Sequence, residues 1–272
     1  MLIRKLRTRT RQYLRLGSLG AHLALGVGIV MIVFPWISET RQRAIQQRWA
    51  RLVLVCLGVR LSVRGSGATQ GLLVANHISW LDVFVINAVT RTTFVCKSEV
   101  RNWPVIGLLC DKSGTVFIER GSRSAARRVN QTLVDKLGQG EQIVVFPEGT
   151  TGDGAGLLTF RAALLQSAID AGSHVQPLAL RYADRQGKTA ADFAYVGETT
   201  LWQSLCAIAA AQGVTANLAV LQVIPAGALP RRELAEQAQA AIQAALTHGG
   251  AVMESSDTEN SGLDGEFVEA NC

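Results

Sequence analysis

At 272 residues, with 48% apolar side chains and a mean hydropathy of +0.20, the chain is long enough for one large domain or two small ones and too apolar for bulk disorder. Residues 249–272 carry six acids and no base, so the rest of the chain holds 27 basic against 15 acidic residues, a net +12 behind the overall +6. A body this basic points to an anionic partner, whether a membrane surface, a phosphate-bearing substrate or nucleic acid, although a solubilising surface accounts for composition alone. Five cysteines, an odd number without CxxC spacing, suggest neither a disulfide framework nor a zinc site and fit a reducing, cytoplasmic compartment.

Residues 16–38 contain no charged side chain between Arg15 and Glu39, and about 20 apolar residues suffice to cross a bilayer core. A signal peptide fits less well, because the run is long, no A-x-A site follows, and Pro35, Trp36 and arginines come next. Both flanks are basic and free of acids: Arg4, Lys5, Arg7, Arg9, Arg11 and Arg15 before, Arg41, Arg43, Arg48, Arg51, Arg60 and Arg64 after. Basic flanks prefer the cytoplasmic side, which both satisfy only if the segment dips in and returns or lies in the interface. Gly17, Gly20, Gly26, Gly28 and Pro35 offer places for the helix to break. The expectation is a membrane-associated helical segment over residues 1–64, a hairpin in preference to a single span. Anionic lipid then contributes about 1 kcal/mol for each well-placed base.

From residue 71 short β-rich runs alternate with helical ones. Strands are expected at 71–75, 92–96, 115–118, 143–146, 175–182, 192–196 and 217–224, and helices at 80–89, 123–137, 157–171, 199–211 and 231–246. Gly138 and Gly172 fit helix ends and Pro230 a first helical turn. The alternation predicts an α/β domain over residues 65–248, with a mixed, largely parallel sheet flanked by helices. Residues 249–272 read as an acidic disordered tail.

Four blocks fall at predicted strand ends, where open α/β sheets bind ligands. In Asn76-His77-Ile78-Ser79-Trp80-Leu81-Asp82, His77 belongs on the turn after the strand. On one regular helix His77 and Asp82 would be about 140° apart, so they meet only if Asp82, in the first helical turn, reaches back. A neutral imidazole takes a proton from an alcohol near neutral pH, and a carboxylate on its other nitrogen fixes the tautomer. Ser79-x-x-Asp82 equally reads as a capping box, and this block alone leaves both readings open. Val116-Phe117-Ile118-Glu119-Arg120, followed by Gly121, Ser122 and Arg123, suits anion recognition or a solvated Glu–Arg pair. Phe146-Pro147-Glu148-Gly149-Thr150 breaks an apolar strand at Pro147. Gly149 there permits close backbone approach, and Glu148 is a candidate to accept from an acceptor hydroxyl or to orient the arginines; an ordinary turn is the alternative. Val175 to Tyr182, with Pro177 inside, reads as a core or edge strand before a catalytic one.

These four blocks, in this order, are similar to the lysophospholipid acyltransferase superfamily and resemble most the bacterial 1-acyl-sn-glycerol-3-phosphate acyltransferases. The likeness covers roughly residues 71–182, and the NHxxWxD and FPEGT blocks together are highly specific. The resemblance implies His77 and Asp82 as the catalytic pair, and Arg120, Glu148 and Gly149 at the acceptor phosphate, with Thr150 completing that block. Lys97, in Cys96-Lys97-Ser98-Glu99, matches a recurring family lysine. Many members continue FPEGT with Arg-Ser where this chain has Thr151-Gly152, so one phosphate-binding cation is missing or replaced by Arg123 or Arg161.

The implied reaction moves an acyl chain from acyl-CoA or acyl carrier protein to the sn-2 hydroxyl of 1-acyl-sn-glycerol-3-phosphate. The product is phosphatidic acid at the cytoplasmic face of the inner membrane, and no metal, cofactor or covalent enzyme intermediate is needed. Lyso-ornithine lipid is an alternative acceptor. A non-catalytic membrane-binding module, the reading from another class, leaves the four blocks unexplained. No nucleic-acid partner is expected, since no such motif occurs beside the apolar N-terminus.

Overall fold

The structure, a computed structural model, describes residues 2–65, 71–103, 105–118 and 123–255. It opens with a helical hairpin, α1 (Leu2–Ile32) and α2 (Glu39–Leu57). The chain reverses over a 3-10 turn at Phe34–Trp36, where Pro35 cannot continue a helix and Gln42 Nε2 donates to Phe34 O (2.9 Å) and Ile37 O (3.2 Å). The apolar run does not break where its glycines allow: α1 runs unbroken through all four of them to Ile32, and the chain reverses only at Pro35. Gly26 serves packing: a Cβ there would lie 2.7 Å from Trp49 Nε1, and the Trp49 ring stacks on His22 at 5.2 Å. Leu6–Trp36 is long and apolar enough to cross a bilayer by length and composition, and only 17% of its most apolar window is buried in the protein. Met31, Ile32 and Trp36, the last 87% exposed, face outward near the hairpin's tip.

Part of the basic flank that the sequence assigns to lipid is bound to protein instead. Arg11, Gln12 and Arg15 donate to the carbonyls of Cys206, Ala209, Ala210 and Ala211 at the end of α7 (Leu201–Ala210). Gln47 and Arg51 do the same for Val89 and Ala88 at the end of α3 (Asp82–Val89). The last carbonyls of a helix lack intrahelical partners, so these side chains close two helices while docking the hairpin on the α/β body.

The sheet runs in the order β1 (Arg60–Arg64), β7 (Thr215–Val220), β6 (His174–Ala183), β2 (Gly71–Ala75), β5 (Gln142–Val145), β3 (Thr93–Lys97), β4 (Val116–Ile118), with the short β8 (Ile224–Pro225) beside β6. Strands β2 to β6 are mutually parallel; β7 and β8 pair with β6 antiparallel, and β1 follows β7. This is the mixed, largely parallel sheet the sequence predicts. Strand β2 is buried on both faces, Leu73 and Ala75 toward α2, α3 and α7, Leu72 and Val74 toward α5 (Arg123–Gly138) and α8 (Arg231–Ser255). Leu178, Leu180 and Tyr182 of β6 join the α3 side.

Four expectations need correction. Arg60–Arg64 pairs into the sheet beside β7, so the α/β unit begins before residue 65. Residues 157–161 are not helical, because their N–H groups go elsewhere: Leu158 to Glu148, Phe160 to Gln239 and Arg161 to Pro147 O; only Gln166–Asp170 (α6) and a preceding 3-10 turn remain of that helix. Residues 192–196 form no strand, since Phe193 is buried against Tyr182 and Tyr195 N donates to Ile78 O. Helix α8 continues to Ser255, past the expected start of the tail, and residues 256–272 lie outside the described ones.

Candidate active site

The neighbouring parallel strands β2, β5, β3 and β4 bring their C-terminal ends to one edge, where the His77 and Pro147–Thr150 blocks sit. His77 follows β2, Pro147 to Thr150 follow β5, and Lys97 ends β3 with its side chain exposed. At about 4.8 Å per strand, Lys97 is about 10 Å from the β2 end, and the end of β4 about 14 Å. Arg120 lies outside the described residues; Arg123 begins α5, and its side chain is likewise outside the description.

Asn76 continues the sheet where β2 stops: its side chain donates to Leu180 O (2.9 Å) and accepts from Leu180 N (2.8 Å). The chain then turns, and the Asp82 carboxylate reaches back from the start of α3. Asp82 Oδ2 accepts from His77 Nδ1 (2.8 Å), Ile78 N (2.7 Å) and Ser79 N (2.9 Å). The structure thus contains the His77–Asp82 contact and part of the capping contact. Asp82 accepts the Ser79 N–H as a capping carboxylate does, but the Ser79 hydroxyl accepts from Leu81 N, not Asp82 N, so the reciprocal half of the box is missing. Asp82 is wholly buried, while the His77 side chain is 21% exposed. A carboxylate only accepts, so Nδ1 carries the imidazole proton and Nε2 keeps its lone pair for the open side.

Two further contacts hold this pair. The His77 ring stacks on Phe146 at 4.0 Å between centroids. Glu148 Oε1 accepts from His77 N (2.8 Å) and Oε2 from Leu158 N (3.1 Å). Both Glu148 oxygens are thus turned to backbone, where the sequence expected an acceptor hydroxyl or the arginines; the side chain brackets His77 and the loop after β5. Burial raises its ionisation above the usual carboxylate range, partly countered by those two N–H groups. Gly149, at φ +70°, closes the turn by donating to Phe146 O (3.0 Å). Thr150 is exposed beside it. The loop then returns over the site: Gly152 N donates to His77 O (2.7 Å), Thr151 Oγ1 donates to Tyr195 O, and Arg161 N reaches Pro147 O (2.9 Å).

One residue that the sequence did not select, Tyr182, and one that it named only as a replacement cation, Arg161, also bear on the site. Tyr182 is buried and donates its hydroxyl to Asp82 Oδ1 (2.7 Å). Burial first, then the Asp82 charge, push its ionisation well above the ordinary phenol range, so it stays a donor. Its signal was the spacing Leu178, Leu180, Tyr182, which puts it on the α3 face of β6. Arg161, named as a substitute cation, has its guanidinium carbon 3.6 Å from where a Gly149 Cβ would stand, and it makes no side-chain hydrogen bond or ion pair among the described residues. Its N–H to Pro147 O ties it to the loop after β5, the strand next to β2, whereas Lys97 ends β3, one strand further away.

The chain as a whole has relatives among known proteins. The Acyltransferase family matches residues 60–181. The chain is 38% identical over 246 residues to a lyso-ornithine lipid O-acyltransferase of Pseudomonas aeruginosa, covering 88% of this chain and 94% of that protein. It is 45% identical over 172 residues to a 1-acyl-sn-glycerol-3-phosphate acyltransferase of Neisseria meningitidis, covering 61% and 67%. The fold is that of the crystal structure of the 1-acyl-sn-glycerophosphate acyltransferase PlsC from Thermotoga maritima, with a TM-score of 0.69 over 90% of this chain and 97% of that one at 17% identity. The chain belongs to the acyltransferase family of these lysolipid enzymes, and it is an acyltransferase acting on lysolipids.

Proposed function

We propose that the enzyme transfers an acyl chain from a thioester, acyl-CoA or acyl carrier protein, to the sn-2 hydroxyl of 1-acyl-sn-glycerol-3-phosphate, giving phosphatidic acid. The observation that carries the mechanism is His77 held through Nδ1 by buried Asp82 with Nε2 left open. His77 Nε2 takes the hydroxyl proton as the oxygen attacks the thioester carbonyl. The tetrahedral intermediate collapses, the C–S bond breaks, and the thiolate leaves with the proton returned by the imidazolium. Asp82 stabilises that imidazolium without itself taking the proton. The hairpin's apolar tip and basic flanks support placement at the cytoplasmic face of the inner membrane.

A second acceptor, lyso-ornithine lipid, is favoured by the coverage of the Pseudomonas relative and by Thr151-Gly152 in place of a cation-bearing pair. In either case Arg161 beside Gly149 offers a guanidinium to the acceptor's anion, a phosphate or a carboxylate. Purified enzyme is offered both lysolipids with both thioester donors. Preferred turnover of the glycerophosphate supports the first reading; turnover of lyso-ornithine lipid alone replaces it with the second.

A further inference from the structure

The Asp82 side chain is completely buried, and a carboxylate's terminal torsion is broad and roughly two-fold. Torsional preference therefore does not decide which oxygen faces His77; hydrogen bonds must. Oδ2 has three donors, His77 Nδ1, Ile78 N and Ser79 N. Oδ1 has Tyr182, whose hydroxyl arrives at 2.7 Å from a strand 100 residues further along the chain. We infer that Tyr182 is a positioning residue of the acyl-transfer reaction, pinning Asp82 Oδ1 so that Oδ2 stays on His77 and the dyad is braced from β6.

The inference rests on the reading of His77 as the base. Three observations take it beyond a core tyrosine whose hydroxyl needs an acceptor. The acceptor it meets is the oxygen that completes the His77 partner, and without it Asp82 would keep a buried oxygen with no donor. The ring is fixed as well as the hydroxyl: it packs on buried Phe193 at 4.9 Å, and Tyr182 O accepts from Ala190 N (3.0 Å). The segment that carries Phe193 also holds the residue after His77, through Tyr195 N to Ile78 O (2.9 Å). Tyr182 and this segment therefore grip the dyad from two sides. The other groups about His77 are Phe146, stacked on its ring, and Glu148, which takes its backbone N–H; the guanidinium of Arg161 lies beside Gly149.

Tyr182→Phe removes the hydroxyl and keeps the ring. The expected result is a fall in kcat of about ten- to a hundredfold, with KM for lysolipid and thioester unchanged. The acid limb of kcat/KM should move to higher pH, because a carboxylate that has lost a donor holds the imidazolium more tightly. Asp82→Asn, which removes the charge, should move the same limb to lower pH. Unchanged kcat, or a fall with the limb in place, overturns the assignment and leaves Tyr182 a packing residue. If Tyr182→Phe does not fold, 3-fluorotyrosine at position 182 keeps the volume and donates more strongly. The limb should then move to lower pH, and a limb that stays put overturns the proposal. An active His77→Ala enzyme would instead remove the base on which the inference rests, so the two failures are distinguishable.

Discussion

The two ends of the sheet each hold a carboxylate with several donors, and they use it differently. At the amino ends, Glu141 accepts from Arg43 (2.7 Å), Lys136 (3.0 Å) and Thr93 (3.1 Å), tying α2, α5 and β3 together. Burial works against its ionisation, but the two cations outweigh that and hold the carboxyl below its usual range. At the carboxyl ends, Asp82 meets no lysine or arginine among the described residues; its donors are two backbone N–H groups, Tyr182 and His77. Permanent cations make Glu141 a fixed strut. A partner that is neutral until it takes a proton lets Asp82 orient the resting imidazole and then stabilise the imidazolium as the reaction proceeds. The same residue class thus reads as structure or as chemistry according to whether its partner's charge can change.

Substitutions at both ends sharpen that contrast. Asp82→Asn should have the largest effect, lowering turnover at least about 100-fold with substrate KM values retained, because the imidazole loses both its orientation and its charge partner. Steady-state thiol release measures it, and a loss under threefold removes Asp82 from the mechanism. Glu148→Gln comes next. It puts an amide N–H against the backbone N–H of His77 or Leu158, so about tenfold in kcat should go together with a lower Tm. A stable variant with normal kcat would make Glu148 a bystander.

Arg161→Ala should raise the acceptor KM about fivefold to tenfold and leave the thioester KM alone, with Arg161→Lys recovering part of the loss. If neither acceptor's KM moves, Arg161 is only a surface cation. Arg120, which lies outside the described residues, makes the natural parallel variant.

The smallest effect on activity belongs to Glu141→Gln. Turnover per folded molecule should be unchanged, while Tm drops by a few degrees, as expected for about 1 kcal/mol. A depressed carboxyl stabilises above its unfolded value, about 4.3, and that stabilisation is lost as pH falls through the lower folded value. The Tm gap between wild type and Glu141→Gln should therefore close below about pH 4. A gap that widens with acid contradicts the strut.

What the sequence disclosed follows from how far apart the partners lie. His77 and Asp82 are five residues apart across one strand-to-helix turn, so their meeting was legible from local geometry. The parallel core was equally legible, because a strand such as Gly71–Ala75, buried on both faces, reads as an unbroken apolar run. Glu148 reaches His77 N across 71 residues and Tyr182 reaches Asp82 across 100, and no local pattern encodes either. Residues 157–161 and 192–196 have compositions that suit a helix and a strand, but their N–H groups are taken by Glu148 and Pro147 in the preceding loop and by Gln239 and Ile78 far along the chain, none of which periodicity encodes. The arginines of the first two helices carry a related lesson: a basic stripe reads as lipid-binding until the carbonyls of Ala209 and Ala88 are brought beside it.

The central claim is that His77 Nε2 takes the proton of the lysolipid hydroxyl. The most direct measurement is turnover by purified His77→Ala, with its melting temperature checked against wild type. The account predicts a folded protein that still binds both substrates and whose kcat is at least about 100-fold lower at every pH tested. A folded His77→Ala enzyme with near-normal turnover would contradict it.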